Sequence, residues 1–134
     1  MRWPWIVQLT WGLPQTLAGF ALLKVVGRRQ AHFSFRLACV GEWNLDAGLS
    51  LGPFVFVPHA CSRRLLVHEY GHVVQSLILG PLYVPLVVVP SLVWAGVPAL
   101  AQWRERHRVS YYDMPIEHWA SWLGEKVCGE PALW

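Results

Sequence analysis

Histidine, glutamate and histidine fall in this chain at a spacing suited to metal chemistry: His68-Glu69-Tyr70-Gly71-His72. On an α-helix, residues four apart lie one turn apart on the same face, so both imidazoles can reach one Zn²⁺. Glu69 stands between them. It can hold a water on that ion and take its proton, because zinc lowers the pKa of a bound water to about 7. Gln75, three residues further along that face, can contact the site or a substrate. Random order produces an H-E-x-x-H in roughly one chain in a hundred, and two interfacial histidines with a solvated glutamate would look the same. Against that, a titratable trio leading straight into a long apolar run is costly unless it has a use.

A catalytic zinc needs a third protein ligand and an open position. The residues that offer one are Glu117, His118, His59, His107, His32 and Asp113. Glu117 is the best placed: it follows Pro115, an acceptable helix start, on a short predicted helix. His118 is an alternative, but neighbours on a helix point about 100° apart, so only one of the two can ligate. His107 sits in Arg104-Glu105-Arg106-His107-Arg108, which reads more simply as an interfacial anchor after Trp103. His32 and His59 lie near predicted strand ends, where a histidine is usually structural.

Several elements must carry these residues. The motif predicts a helix over 64–80, and Glu117 one over 115–127. His32 to Leu37 alternates apolar with polar, Leu49 to Leu51 and Phe54 to Val57 look like further strands, and Gly41 to Gly48, with Asn44 and Asp46, supplies turn residues. A small antiparallel β element over 31–58 is expected before the motif helix. No charged side chain occurs from Trp3 to Leu23, and none from Val73 to Trp103. Each run meets the roughly 18–20 residues that span a hydrocarbon core. The first predicts an uncleaved membrane helix over 3–26, kinked near Pro14, with Gln8, Thr10, Gln15 and Thr16 turned toward protein. In the second, Gly80-Pro81, Pro85, Pro90 and Pro98 suggest more than one segment, with residues 82–103 returning as a membrane helix.

Composition agrees with that expectation. Of 134 residues 54% are hydrophobic, nine are tryptophan and only 14% are charged, whereas a soluble domain has about a quarter charged. Disorder, a coiled coil and an ordinary cytosolic globule are disfavoured, and the length allows one domain. The net charge of +3 gives nucleic-acid binding little support. Cys39, Cys61 and Cys128 are too widely spaced for a zinc knuckle or a disulfide framework and read as thiols. The fold class expected is an α+β integral membrane protein, mainly membrane helices, with the bilayer as a partner. If the chain turns at Gly80-Pro81, ten of the eleven cations fall on one side and only Arg2 on the other. The positive-inside rule makes that side cytoplasmic, and the three ligands meet there.

Beyond the spacing itself, His68 to His72 resembles the active-site helix of zincin-type zinc metallopeptidases. A ligand glutamate on a later helix is similar to the thermolysin-like (gluzincin) branch. Leu13-Pro14-Gln15-Thr16, Gly48-Leu49-Ser50-Leu51-Gly52, the HEYGH motif with Gln75-Ser76, Gly80-Pro81-Leu82-Tyr83 and Pro90-Ser91-Leu92 resemble a group of small, largely uncharacterised bacterial membrane proteins. The resemblance implies a bacterial inner-membrane zinc metalloprotease or hydrolase. His68, His72 and Glu117 would hold Zn²⁺, Glu69 would be general base, and a peptide or membrane protein would be substrate. Tyr111, Tyr112 or His118 would steady the oxyanion. One departure matters: the thermolysin-like pattern has an Asp four residues after the ligand glutamate, where this chain has Ser121. That change favours the alternative of a non-catalytic protein with a structural or partner-binding zinc site.

Overall fold

In a computed structural model, residues 3–26, 32–35, 38–43, 48–58 and 61–133 are described. Two short hairpins make one four-stranded sheet. β1 (His32–Phe35) and β2 (Ala38–Trp43) pair antiparallel, as do β3 (Leu49–Leu51) and β4 (Phe54–Pro58). The strand order is β1-β2-β4-β3, and β2 and β4 run parallel, with Cys39 opposite Phe54 and Trp43 opposite Pro58. The expected purely antiparallel element is thus corrected. A parallel pair needs a crossover between its strands, and here β3 lies within that connection, leaving β4 to enter between β2 and β3. Central placement accounts for the unbroken apolar run Phe54 to Val57: every residue of it is buried, because both faces of β4 are covered.

On one face Val40, Val55 and Val57 pack against Leu66, Val67, Tyr70 and Val73 of α3 (Arg63–Leu79). On the other, Trp43, Phe54 and Phe56 meet Leu22 and Leu23 of α2 (Leu13–Val26). Ser62 caps α3 by accepting a hydrogen bond from the Leu65 amide at 3.2 Å. At the far end the Gly80 amide donates to the Ser76 carbonyl. The Gln15 amide of α2 donates both to the Ser76 hydroxyl and to the Gly80 carbonyl, each at 2.8 Å. Gln15 and Thr16 are buried and Thr10 is exposed, while the Gln8 side chain lies outside what is described.

The third layer is α6 (Pro115–Cys128), laid against α3. Two glycines permit the approach. A Cβ built on Gly71 of α3 would sit 1.7 Å from the Ala120 carbonyl oxygen of α6, and one on Gly124 of α6 would sit 2.1 Å from the Val67 carbonyl oxygen of α3. Each helix thus uses a glycine where its neighbour's backbone comes closest, and no side-chain adjustment can relieve a clash with a backbone oxygen.

The two apolar runs do not form the membrane helices expected over 3–26 and 82–103. The first is divided into α1 (Trp3–Thr10) and α2. The 14 residues of α2 extend about 21 Å at 1.5 Å per residue, against a hydrocarbon core of roughly 30 Å. The second passes through a 3₁₀ turn at Gly80–Leu82, a π turn at Val84–Val88, α4 (Val89–Gly96) and α5 (Pro98–His107). Among the described residues no single helix is long and apolar enough to cross a membrane; Val84–Gly96 and Pro98–His107 reach that length only when joined across a 74° bend. The integral membrane architecture read from composition is therefore overturned, and with it the sorting of cations onto a cytoplasmic side. A count of apolar letters measures length without breaks, and the prolines break it. Much of the apolar surplus stays outside the core: Leu9, Leu17 and Phe20 on the first two helices and Leu82, Leu86, Leu92 and Val93 on the later segments are exposed.

The glycine contact is testable. We expect Gly71→Ala to destabilise the fold by about 1–3 kcal/mol, the usual cost of overpacking. Gly96→Ala, where a Cβ meets nothing within 4 Å, should be neutral or slightly stabilising. Urea unfolding of the two variants beside the parent chain measures both. Equal stabilities would refute the close approach.

Candidate metal centre

His68 and His72 are both buried, on the face of α3 that meets α6, their rings edge to face with centroids 4.9 Å apart. The Nδ1 of each ring has its own partner. His72 Nδ1 lies 2.7 Å from Gln75 Oε1, and the Gln75 amide nitrogen in turn donates to the Ile116 carbonyl at 3.0 Å. His68 Nδ1 lies 2.7 Å from the Ser121 hydroxyl, which donates its own proton to the Leu133 carbonyl at 2.5 Å. With the Gln75 amide group and the Ser121 proton both oriented this way, each partner presents only lone pairs to its imidazole. Both Nδ1 atoms must therefore carry the hydrogen and donate it. That assignment turns both Nε2 atoms toward the centre, each able to offer a lone pair when its ring is neutral.

Both Nε2 atoms converge on one oxygen. Glu117 Oε2 lies 2.9 Å from His68 Nε2 and 2.9 Å from His72 Nε2, while Oε1 accepts from the Ser91 hydroxyl at 2.5 Å and from the Tyr111 hydroxyl at 3.1 Å. With neutral rings, two nitrogen lone pairs and a carboxylate oxygen at this range repel one another, so either a proton on Nε2 or a metal cation must stand among them. Glu69, also buried, adds a second carboxylate: Ser50 shares its hydroxyl proton between Glu69 Oε2 at 2.7 Å and the Glu69 carbonyl at 3.0 Å. Ser50 belongs to β3, whose backbone is pinned by the Tyr83 hydroxyl donating to the Ser50 carbonyl at 2.8 Å. One ligand atom from each of His68, Glu69 and His72 falls within 4.8 Å of the others, and this cluster could hold a metal ion. The donor chemistry fits one, with Glu117 Oε2 in contact with both imidazoles.

Electrostatics follow from the same geometry. Burial disfavours a charged His72, but Glu117 and then Glu69 outweigh it and bring the imidazole up to about 9. For Glu117, burial alone would raise the carboxyl, yet the facing His72 and His68 hold it well below the usual carboxylate range. Burial first, then the two carboxylates, pushes Tyr112 up to about 12 and holds Tyr111 and Tyr83 well above the ordinary phenol value. All three phenols therefore stay protonated, as hydrogen-bond donors, at neutral pH.

Of the remaining sequence candidates, His118, Asp113 and His107 lie apart from this cluster. His118 is exposed and borders a shallow depression with Asp113, Trp119 and Trp122. Asp113 accepts from the Ser110 amide at 2.9 Å as half of a capping box. His107 is exposed, stacked on Trp103, and donates to the Trp103 carbonyl. For His32 only its place on β1 is described, and His59 lies outside the described residues. Gln75 does contact the site, through His72. Ser50, Tyr83 and Ser91 were missed: isolated hydroxyls on a strand and on a proline-broken segment carry no local signal. A cleft of about 440 Å³ opens beside Glu69, His72 and Glu117. No family model, no curated protein and no solved structure matches the chain.

Removal of metal exposes the proton balance. In chelator-treated protein, a His72 pKa raised from 6.5 to about 9 contributes stability that is complete below the unfolded value and lost as pH rises through the folded one. We expect the melting temperature of chelated protein to fall between pH 6.5 and 9. Metal-loaded protein, in which Nε2 carries no proton, should lack that decline. Parallel thermal melts across this range decide it, and a flat profile for the chelated form would refute the pairing.

Proposed function

We propose that this chain is a zinc-dependent hydrolase acting on peptides. The observation that carries the reading is the orientation of His68 and His72: both Nδ1 atoms donate, which turns both Nε2 atoms toward Glu117 Oε2 among buried side chains. Two imidazoles and one carboxylate make the three-ligand set of a catalytic zinc, with a position left for water or substrate. When bound, the ion would supply a Lewis acid and make a water acidic enough to ionise near neutral pH.

The protein's own groups have separable tasks. Glu69, held by Ser50, receives the proton of the attacking water as general base. Tyr112, packed edge to face on His68 at 4.7 Å, lines the cleft, and its hydroxyl makes no hydrogen bond among the described residues. It is the phenol we assign to the developing oxyanion, since Tyr111 is engaged with Glu117. β3 lies at the edge of the sheet and lines the cleft through Leu49 and Ser50, which supports an extended peptide lying along it. The resemblance of the HEYGH helix and the later-helix glutamate to thermolysin-like enzymes supports the same reading.

Ser121 favours a second reading, a zinc site without catalysis. A hydroxyl fixes the His68 tautomer through Leu133, but it lacks the charge of a carboxylate that would make the imidazole more basic. Zinc content and turnover separate the two. We expect purified protein to carry close to one zinc per chain and Glu117→Ala to lose it. Glu69→Gln should keep the metal while peptide hydrolysis falls by about 100- to 10,000-fold. Metal-free protein with all ligands intact would refute both readings. A silent Glu69→Gln with zinc retained would leave only the non-catalytic one.

A further inference from the structure

The cleft beside the candidate metal centre has an uneven chemistry. Its walls are mostly apolar, with Leu49, Leu65, Val87, Leu92 and Ala95 among them, and its floor carries Glu69 and Glu117. Among the described residues a single Lys or Arg lines it: Arg104, from α5. No carboxylate of the described residues lies within ion-pair distance of that guanidinium.

Arg104 is held in place without using most of its donors. Pro98 has no N–H, so the Trp94 carbonyl four residues earlier loses its helical partner at the break between α4 and α5. Arg104 Nη1 donates to that carbonyl instead. The guanidinium carbon lies 4.7 Å from the Trp94 ring centroid and 5.6 Å from that of Tyr111, and the Trp94 indole N–H donates to the Tyr111 carbonyl at 2.8 Å. One of five N–H groups thus satisfies the helix break. The others belong to a planar, half-buried cation braced by two aromatic side chains, an arrangement suited to bidentate recognition of a carboxylate.

Position sets the geometry of recognition. Tyr111 bridges the gap, its ring beside Arg104 and its hydroxyl 3.1 Å from Glu117 Oε1. One tyrosine ring and one hydrogen bond therefore separate the cation from the ligand carboxylate, a length covered by one or two residues of extended peptide. Glu69 and Glu117 on the same cleft repel an anion of high charge, whereas a singly charged carboxylate on an apolar residue matches both wall and cation. We propose that Arg104 is the specificity-determining residue of this cleft and selects peptides whose apolar C-terminal residue bears a free carboxylate. The proposal rests on the hydrolase reading for the fate of the peptide, but the binding preference stands independently of turnover.

The test uses zinc-loaded Glu69→Gln protein, which prevents turnover, and titrates N-acetyl-Phe-Leu against its C-terminal amide by calorimetry. We expect the acid to bind at least about tenfold more tightly than the amide. Arg104→Met should bring the acid down to the amide's affinity, and Arg104→Lys should keep part of the difference. Should Arg104→Met fail to fold, the acid–amide comparison in the parent protein still decides. Equal affinities for acid and amide, binding of neither, or a preference that survives Arg104→Met would each overturn the proposal. With Glu69 intact, cleavage of both peptides without an acid preference refutes Arg104 alone. Acid preference with no cleavage refutes the hydrolase reading alone.

Discussion

Everything at the site depends on how closely α3 and α6 approach. Gly71 and Gly124 remove the two β-carbons that would hold the helices apart, and the resulting contact dries the space between them. His68, His72, Glu69, Gln75, Glu117 and Ser121 are all buried there. Burying polar groups in such number is costly unless each is partnered. Here the outward nitrogens of both imidazoles, both oxygens of Glu117 and one oxygen of Glu69 all have named partners. At the centre, Glu117 Oε2 and the two Nε2 atoms share a positive charge, a proton in the metal-free protein or a metal ion when one is bound.

The chain after α3 is shaped by the donors that proline removes. A continuous helix from Gly80 to His107 would carry its side chains away from the site. Instead a 3₁₀ turn, a π turn and a 74° bend fold that stretch over the cleft and deliver Tyr83, Ser91 and Arg104 to it. Each has a partner set by the break or by the site: Tyr83 with the Ser50 carbonyl, Ser91 with Glu117, Arg104 with the carbonyl that Pro98 leaves without a donor. The features that stop these helices from being long also make the cleft.

Legibility in the sequence varied with the range of the interaction concerned. The H-E-x-x-H spacing, the helix that carries it and the helix starting at Pro115 are local patterns, and they were readable. Gln15 and Thr16 were readable as protein-facing, because a polar residue in an apolar helix needs a partner. The second half of β2, Gly41 to Trp43, was read as turn residues because Gly41 and Glu42 carry no strand preference, and the parallel pairing of β2 with β4 is a choice between distant segments. Low charge was read as a membrane signature; the same composition is met by exposed apolar side chains on helices of which, among the described residues, no single one is long and apolar enough to span.

By itself the sequence determined which side chains share a helical face, where prolines must interrupt hydrogen bonding, and that few charges are available. Those follow from bond geometry and residue chemistry over a few positions. Only the tertiary structure decided that Glu117 meets His68 and His72, that Ser121 passes its proton to Leu133 and so orients an imidazole, and that Arg104 faces the same cleft. These depend on two helices closing to backbone contact at Gly71 and Gly124, an approach set by long-range packing and invisible in any local window. The scarcity of charge, which first suggested a bilayer, is seen in the fold to leave, among the described residues, a single arginine or lysine lining the cleft beside a buried pair of histidines and two glutamates.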